Sequence, residues 1–219
     1  MTVIGVIVSD PGRAVFWADS EGYAGDDFAV PVAKLILNPT AACVGAGTGL
    51  TGVIRHADRI VTEATDFDRL PEAVAKVLRA EAGRRAEELQ RARRDSFACQ
   101  SYVVAGFSPS AGRLLAWEMA GSAYFVPTLV SRYAIPYVGE IETARGSDVR
   151  DIVRIATAQM LGVRDCHPHA TGGALVIAEM AEGRISAWRI EGWFQPSESK
   201  REPMPERVDS NVAVLAAAA

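Results

Sequence analysis

Cysteine is scarce in this chain: Cys43, Cys99 and Cys166 are the only three among 219 residues. An odd number at these spacings matches neither a disulfide framework nor a zinc cluster, and implies reduced thiols in a cytoplasmic setting. No apolar run approaches the roughly 20 residues of a membrane span, so no membrane partner is expected. No basic segment leads into an apolar one at the start, so no signal peptide is expected either. Positive charge is not in excess. The net charge is −4 and the basic residues are dispersed, which leaves no electrostatic footprint for nucleic acid. What is present is ordinary globular composition, 49% hydrophobic and 23% charged, in a length that suits one domain with a core of two or more layers.

The apolar pattern divides the chain into strand and helix blocks. Val3–Val8 and Ala14–Ala18 read as buried strands joined at the turn Asp10-Pro11-Gly12, and a polar, glycine-rich loop covers residues 21–27. A second hairpin pairs Val32–Leu37 with Ala41–Ala46 around Asn38-Pro39-Thr40. A helical stripe then runs through Leu50, Val53, Ile54, Ala57, Ile60 and Val61. Pro71 opens a second helix whose apolar face continues to Leu89 and whose other face, Arg84 to Arg94, is charged and solvated. Strands return at Tyr102–Phe107 and Arg113–Glu118, with extended segments at Tyr124–Val130 and Tyr133–Val138. One further helix carries Val149, Ile152, Val153, Ala156 and Met160, capped by Ser147 and stopped by Gly162. A hairpin, Ala174–Met180 and Arg184–Ile190, closes the domain, which spans residues 1–193. Residues 194–219 read as a C-terminal tail, mobile or gripping a neighbouring subunit. Strands, two helices, strands, one helix and strands in that order imply an α+β fold: two antiparallel sheets packed on each other with helices outside, a four-layer αββα sandwich.

Thr2, directly behind Met1, carries the most specific chemistry. Removal of Met1 would leave a hydroxyl and a free α-amine on one residue, and such an amine can act as the base that a threonine nucleophile needs. Unperturbed α-amines titrate near pH 8, so modest tuning keeps one neutral at working pH. A nearby ammonium from Lys34 would disfavour protonation of that amine. Lys34 is an isolated cation among Ala33, Leu35 and Ile36, and a lysine there is costly to bury without an acid. Asp19 is the expected partner, so Lys34 is expected to contact Asp19 and point at Thr2. The plain alternative is that Asp19 caps a turn and Lys34 extends from an edge strand.

With Thr2, Trp17-Ala18-Asp19-Ser20, Lys34, Ala46-Gly47, the strand pair at Tyr102–Phe107 and Leu114–Gly121, and Thr171-Gly172-Gly173 in this order, residues 2–193 resemble the proteasome β-subunit family of N-terminal-nucleophile hydrolases. The resemblance implies Thr2, Asp19 and Lys34 as catalytic residues, the Gly47 N–H as oxyanion donor, and Ser147 and Thr171 as supporting residues, with no cofactor and no metal. It implies a threonine-type peptidase or amidase that acts on a peptide or amide substrate after Met1 is removed, assembled as a homo-oligomeric ring. The alternatives are a catalytically inactive structural subunit of such a ring and an amidase of small molecules. The pattern departs from the family's at Pro168, where an acid is usual, with Asp165 the nearest. It departs also at Gly146-Ser147-Asp148, which only partly echoes a Gly-Ser-Gly, and in having one helix where the family commonly has two.

Other constellations are weaker. Asp165-Cys166-His167-Pro168-His169 packs potential metal ligands together, but the only other histidine, His56, lies in a helix, so a polar loop is the simpler reading. A Cys166–His nucleophile pair would require sequence neighbours to meet in productive geometry. Gly45-Ala46-Gly47-Thr48-Gly49 lacks the lysine of a phosphate-binding loop and has no βαβ surroundings. Trp17, Trp117, Trp188 and Trp193 are read as core or interface residues.

Overall fold

The computed structural model describes residues 2–10, 12–24, 28–86, 100–144, 148–166, 172–181, 184–194 and 206–207. In chain order the strands are β1 (Ile4–Asp10), β2 (Arg13–Asp19), β3 (Glu21–Ala24), β4 (Phe28–Pro31), β5 (Ile36–Asn38) and β6 (Cys43–Thr48). Helices α1 (Thr51–Glu63) and α2 (Leu70–Arg84) follow, then β7 (Ser101–Ser108), β8 (Arg113–Ala120), β9 (Thr128–Val130) and β10 (Arg132–Ile135). Helices α3 (Glu140–Thr143) and α4 (Val149–Cys166) precede β11 (Leu175–Ala181), β12 (Arg184–Ile190) and β13 (Glu206–Arg207). The fold is α+β, with two larger antiparallel sheets and one separate two-stranded ladder. Contacts divide the chain into two compact units, Met1–Leu35 with Arg132–Ala219, and Ile36–Ser131.

The first unit holds a six-stranded sheet ordered β10-β1-β2-β11-β12-β13. Side chains alternate across a strand, so Val3, Ile7, Val15, Trp17, Leu175 and Ile177 share one face. There they pack against Ile152, Ile155, Ala156, Met160 and Val163 of α4. Ile4, Val6, Phe16 and Ala18, on the opposite face, are also buried, which explains why these strands read as continuous apolar runs. The Trp17 ring lies over Gly5, where a Cβ would come within 2.0 Å of the indole. Gln159 of α4 anchors this contact. Its Oε1 accepts from Trp17 Nε1 (2.8 Å), and its Nε2 donates to the carbonyls of Ile4 (2.9 Å) and Ile135 (2.8 Å). A fully buried glutamine thus joins the helix to β1 and to the end of β10.

The second unit is the five-stranded sheet β5-β6-β7-β8-β9. Cys43, Tyr102, Val104 and Met119 pack against Val53, Ala57 and Val61 of α1 and Val74 and Leu78 of α2. Burial pushes the Cys43 thiol up to about 12, so it is an inert core residue. Asn38 caps the end of α1, donating from Nδ2 to the carbonyls of Val61 (2.7 Å) and Ala64 (2.8 Å) while Oδ1 accepts from Ala41 N–H (3.0 Å).

Several elements differ from the sequence reading. The glycine-rich stretch after Ser20 contributes a two-stranded ladder, β3 with β4, rather than a loop. Of Val32–Leu37 only Ile36 and Leu37 are strand, in β5, because the segment before them is drawn to the end of β2: Val32 N–H donates to the Ser20 carbonyl (2.9 Å) and Lys34 pairs with Asp19. Tyr124 and Phe125 adopt left-handed backbone conformations (φ 52° and 56°) instead of extending. That turn buries Phe125 and leaves strand only at Thr128–Val130. The segment from Tyr133 ends as strand at Ile135, before a cis Ile135–Pro136 bond. Gly162 does not stop α4, which runs on to Cys166. A glycine costs about 1 kcal/mol in a helix interior, and the burial of Val163 on the same apolar stripe offsets it. A four-residue helix, α3, precedes α4, so this region has two helices. Helix α2 ends at Arg84, with Arg85 at its C-terminal cap, short of the expected run to Leu89, and residues 87–94 of the charged face lie outside the described residues. Of the tail, Glu206 and Arg207 pair with β12 of the same chain, and the rest of it from Gln195 onward lies outside the described residues.

Candidate functional site

Of the residues expected to do chemistry, Asp19 and Lys34 meet at the end of β2, next to the backbone that follows Thr2. Asp19 is the last residue of β2 and is only 2% exposed. Asp19 Oδ1 accepts from the N–H of Val3 (2.7 Å), and the Asp19 N–H donates back to the Val3 carbonyl (3.1 Å). This two-way clamp fixes the backbone immediately after Thr2. Lys34 Nζ reaches both oxygens of the same carboxylate, at 2.8 Å to Oδ1 and 2.7 Å to Oδ2. Its side chain is 7% exposed, so the ammonium is withdrawn from bulk water. Thr2 itself is half-buried and is joined to Lys34 through Val3 and Asp19.

The electrostatics follow from burial. Loss of water pushes the Asp19 carboxyl up, opposed by the charge and hydrogen bonds of Lys34 and by the N–H groups of Val3 and Glu21. The same loss pushes Lys34 down, opposed by the charge and hydrogen bond of Asp19 and by the charge of Glu21. The two-point contact at 2.7–2.8 Å favours a carboxylate–ammonium pair. An ammonium fixed there is a proton donor with limited competition from water, the kind of group that can steady developing negative charge.

Gly47 lies in the second unit, on β6 opposite Tyr102 of β7. A Cβ at Gly47 would come within 2.4 Å of the Tyr102 ring, and one at Gly45 within 2.9 Å of its hydroxyl. The glycines therefore have a packing cause: they let β6 close over a fully buried tyrosine. The Tyr102 hydroxyl donates to Asp58 Oδ1 of α1 (2.7 Å), and burial pushes Asp58 up to about 6.

Ser147 and Thr171 lie outside the described residues, as do His167 and His169. Asp165 is exposed on the last turn of α4. Among the described residues no group of three His, Cys, Asp or Glu could hold a metal ion, and no helix is long and apolar enough to cross a membrane. Trp17 and Trp193 are buried core residues, and Trp117 and Trp188 pack partly buried against the two cores.

Sequence reasoning missed Ser20 and Glu21. Ser20 Oγ accepts the Ala174 N–H (2.9 Å), and Glu21 Oε2 accepts the Gly172 N–H. Gly172 and Gly173 both have positive φ (77° and 57°). This conformation explains the paired glycines before β11. The signal available was an acid two residues beyond Asp19, next to a glycine-rich turn.

Neither a protein-family model nor a curated protein sequence matches this chain.

Proposed function

We propose that the protein is a threonine-type N-terminal-nucleophile hydrolase of peptide or amide bonds, built on the four-layer αββα sandwich of proteasome β-type subunits. Each unit by itself holds helices packed on an antiparallel sheet. The observation that carries the proposal is the buried Lys34–Asp19 pair, whose carboxylate also holds the amide next to Thr2. In the proposed cycle, with Met1 removed, Thr2 Oγ attacks the substrate carbonyl and its proton passes to the Thr2 α-amine. The C–N bond breaks as that proton moves to the leaving nitrogen, and an ester to Thr2 remains. Water then attacks the ester, gives a proton to the amine, and the hydroxyl is restored. Lys34 keeps the amine from holding its proton too tightly, and Asp19 orients Lys34. The resemblance adds the Gly47 N–H as oxyanion donor.

A second reading, a non-catalytic subunit of a proteasome-like ring, is favoured by one observation: Gly45 and Gly47 are accounted for by the packing of Tyr102. Intact mass and a peptide epoxyketone separate the two. The enzyme should lack one methionine and form a single adduct at Thr2, which Thr2→Ala abolishes without unfolding the protein. A chain that retains Met1, or that begins at Thr2 yet forms no adduct, would move the conclusion to the structural subunit.

A further inference from the structure

A buried glutamate is costly unless hydrogen bonds or charge compensate it. Glu21, at the start of β3, is 7% exposed. Its side chain accepts the Gly172 N–H. Gly172 is closely boxed: a Cβ there would come within 2.7 Å of Met160 Cε and 2.9 Å of Trp193. The Glu21 N–H donates to Asp19 Oδ2 (3.3 Å), the oxygen that also receives Lys34. Beside it Ser20 makes a second grip on the same turn, exchanging hydrogen bonds with the N–H and carbonyl of Ala174.

We infer that Glu21 is a positioning residue of the Thr2 site, tying the Gly172–Gly173 turn to the carboxylate that holds Lys34 and presenting a second negative charge to the cations there. This rests on the reading of Thr2 as nucleophile. The charges that act on Lys34 are those of Asp19 on β2 and Glu21 on β3. The neighbouring elements contribute uncharged groups: Ile135 of β10 opposite Ile4, Leu175 of β11 opposite Asp19, and Gln159 and Met160 of α4. The charge of Glu21 helps Lys34 stay protonated against burial. By the same sign it favours the protonated form of an α-amine on Thr2, so the amine would give up its proton at higher pH with Glu21 present than without it.

The test follows the rate of Thr2 modification by a peptide epoxyketone, read by intact mass across pH, in the full chain and two variants. Glu21→Gln keeps an acceptor for Gly172 but removes the charge, so the acidic limb of the rate profile should move about one unit to lower pH. A limb that coincides with the wild type overturns the electrostatic role, since a merely structural contact would not move it. Glu21→Asp keeps the charge on a shorter arm. Its limb should stay at the wild-type pH while the rate falls about tenfold or more, the scale of a displaced site, and an unchanged rate overturns the positioning role. A wild-type chain that forms no adduct removes the nucleophile and this inference together. A wild-type adduct with two wild-type-like variants leaves the nucleophile and removes Glu21 alone.

Discussion

An ammonium nearly excluded from water is stable only beside a carboxylate, and Lys34 has Asp19 at hydrogen-bonding distance through both oxygens. Lys34→Ala should therefore do two separable things. Turnover should fall by on the order of 10², the scale of a lost acid–base group. Stability in urea should fall by about 3–5 kcal/mol, because Asp19 would remain buried without its counter-charge. Replacing both partners with apolar residues should return much of the stability and none of the turnover; full turnover in either variant would exclude Lys34 from the chemistry. Asp58 gives a prediction in pH. Its carboxyl is raised to about 6 in the folded chain against about 3.9 unfolded. A raised acid binds its proton more tightly when folded, so its contribution to stability is complete below pH ~4 and is lost as pH rises through about 6. Asp58→Asn should match the wild type in acid and be about 2–3 kcal/mol more stable at neutral pH, its amide oxygen still accepting from Tyr102. Parallel stability–pH curves would contradict this assignment.

At the level of elements, Gln159 ties α4 to the Thr2 end of the sheet through Trp17, Ile4 and Ile135. Gln159→Leu would leave the Trp17 N–H without its acceptor and the Ile4 and Ile135 carbonyls without this donor. The expected loss is about 3 kcal/mol or more by urea denaturation; a loss under about 1 kcal/mol would show that water replaces the amide. Gln159 was invisible in the sequence, since a polar residue on a helix reads as surface until the strand carbonyls facing it are known. The same holds for what changed between pattern and structure. The stripe of α4 was legible at 3.6-residue spacing, but Gly162 read as a stop because the burial of Val163 cannot be seen from local signals. Val32–Leu35 has the composition of a strand, yet tertiary pairing at Ser20 and Asp19 draws it out of the ladder. By contrast, the need of Lys34 for an acid was legible from chemistry, since a lone cation in an apolar stretch requires one, and the resemblance at Trp17-Ala18-Asp19-Ser20 singled out Asp19 although Glu21, Asp26 and Asp27 lie nearer in the chain.

For the whole molecule, the question is whether the chain works alone. The exposed side chains of Tyr124, Val126 and Leu129 (73%, 53% and 50%) lie together in sequence just before and within the edge strand β9. Repeated head-to-tail contacts between identical subunits close into rings or wind into open helices, and a proteasome-like peptidase would act in such an assembly. Light scattering at micromolar concentration should therefore report a many-subunit homo-oligomer, reduced in size by a charged replacement at Leu129. A strictly monomeric mass would refute the ring and favour a small-molecule amidase. Finally, the glycine under the indole ties together positions remote in the sequence. Because Trp17 fills the space a Cβ at position 5 would need, and Gln159 satisfies that indole, positions 5, 17 and 159 are not free to drift one at a time. The expectation for descent is joint change: loss of the tryptophan would release both the glycine and the glutamine, so lineages should differ at all three positions or at none.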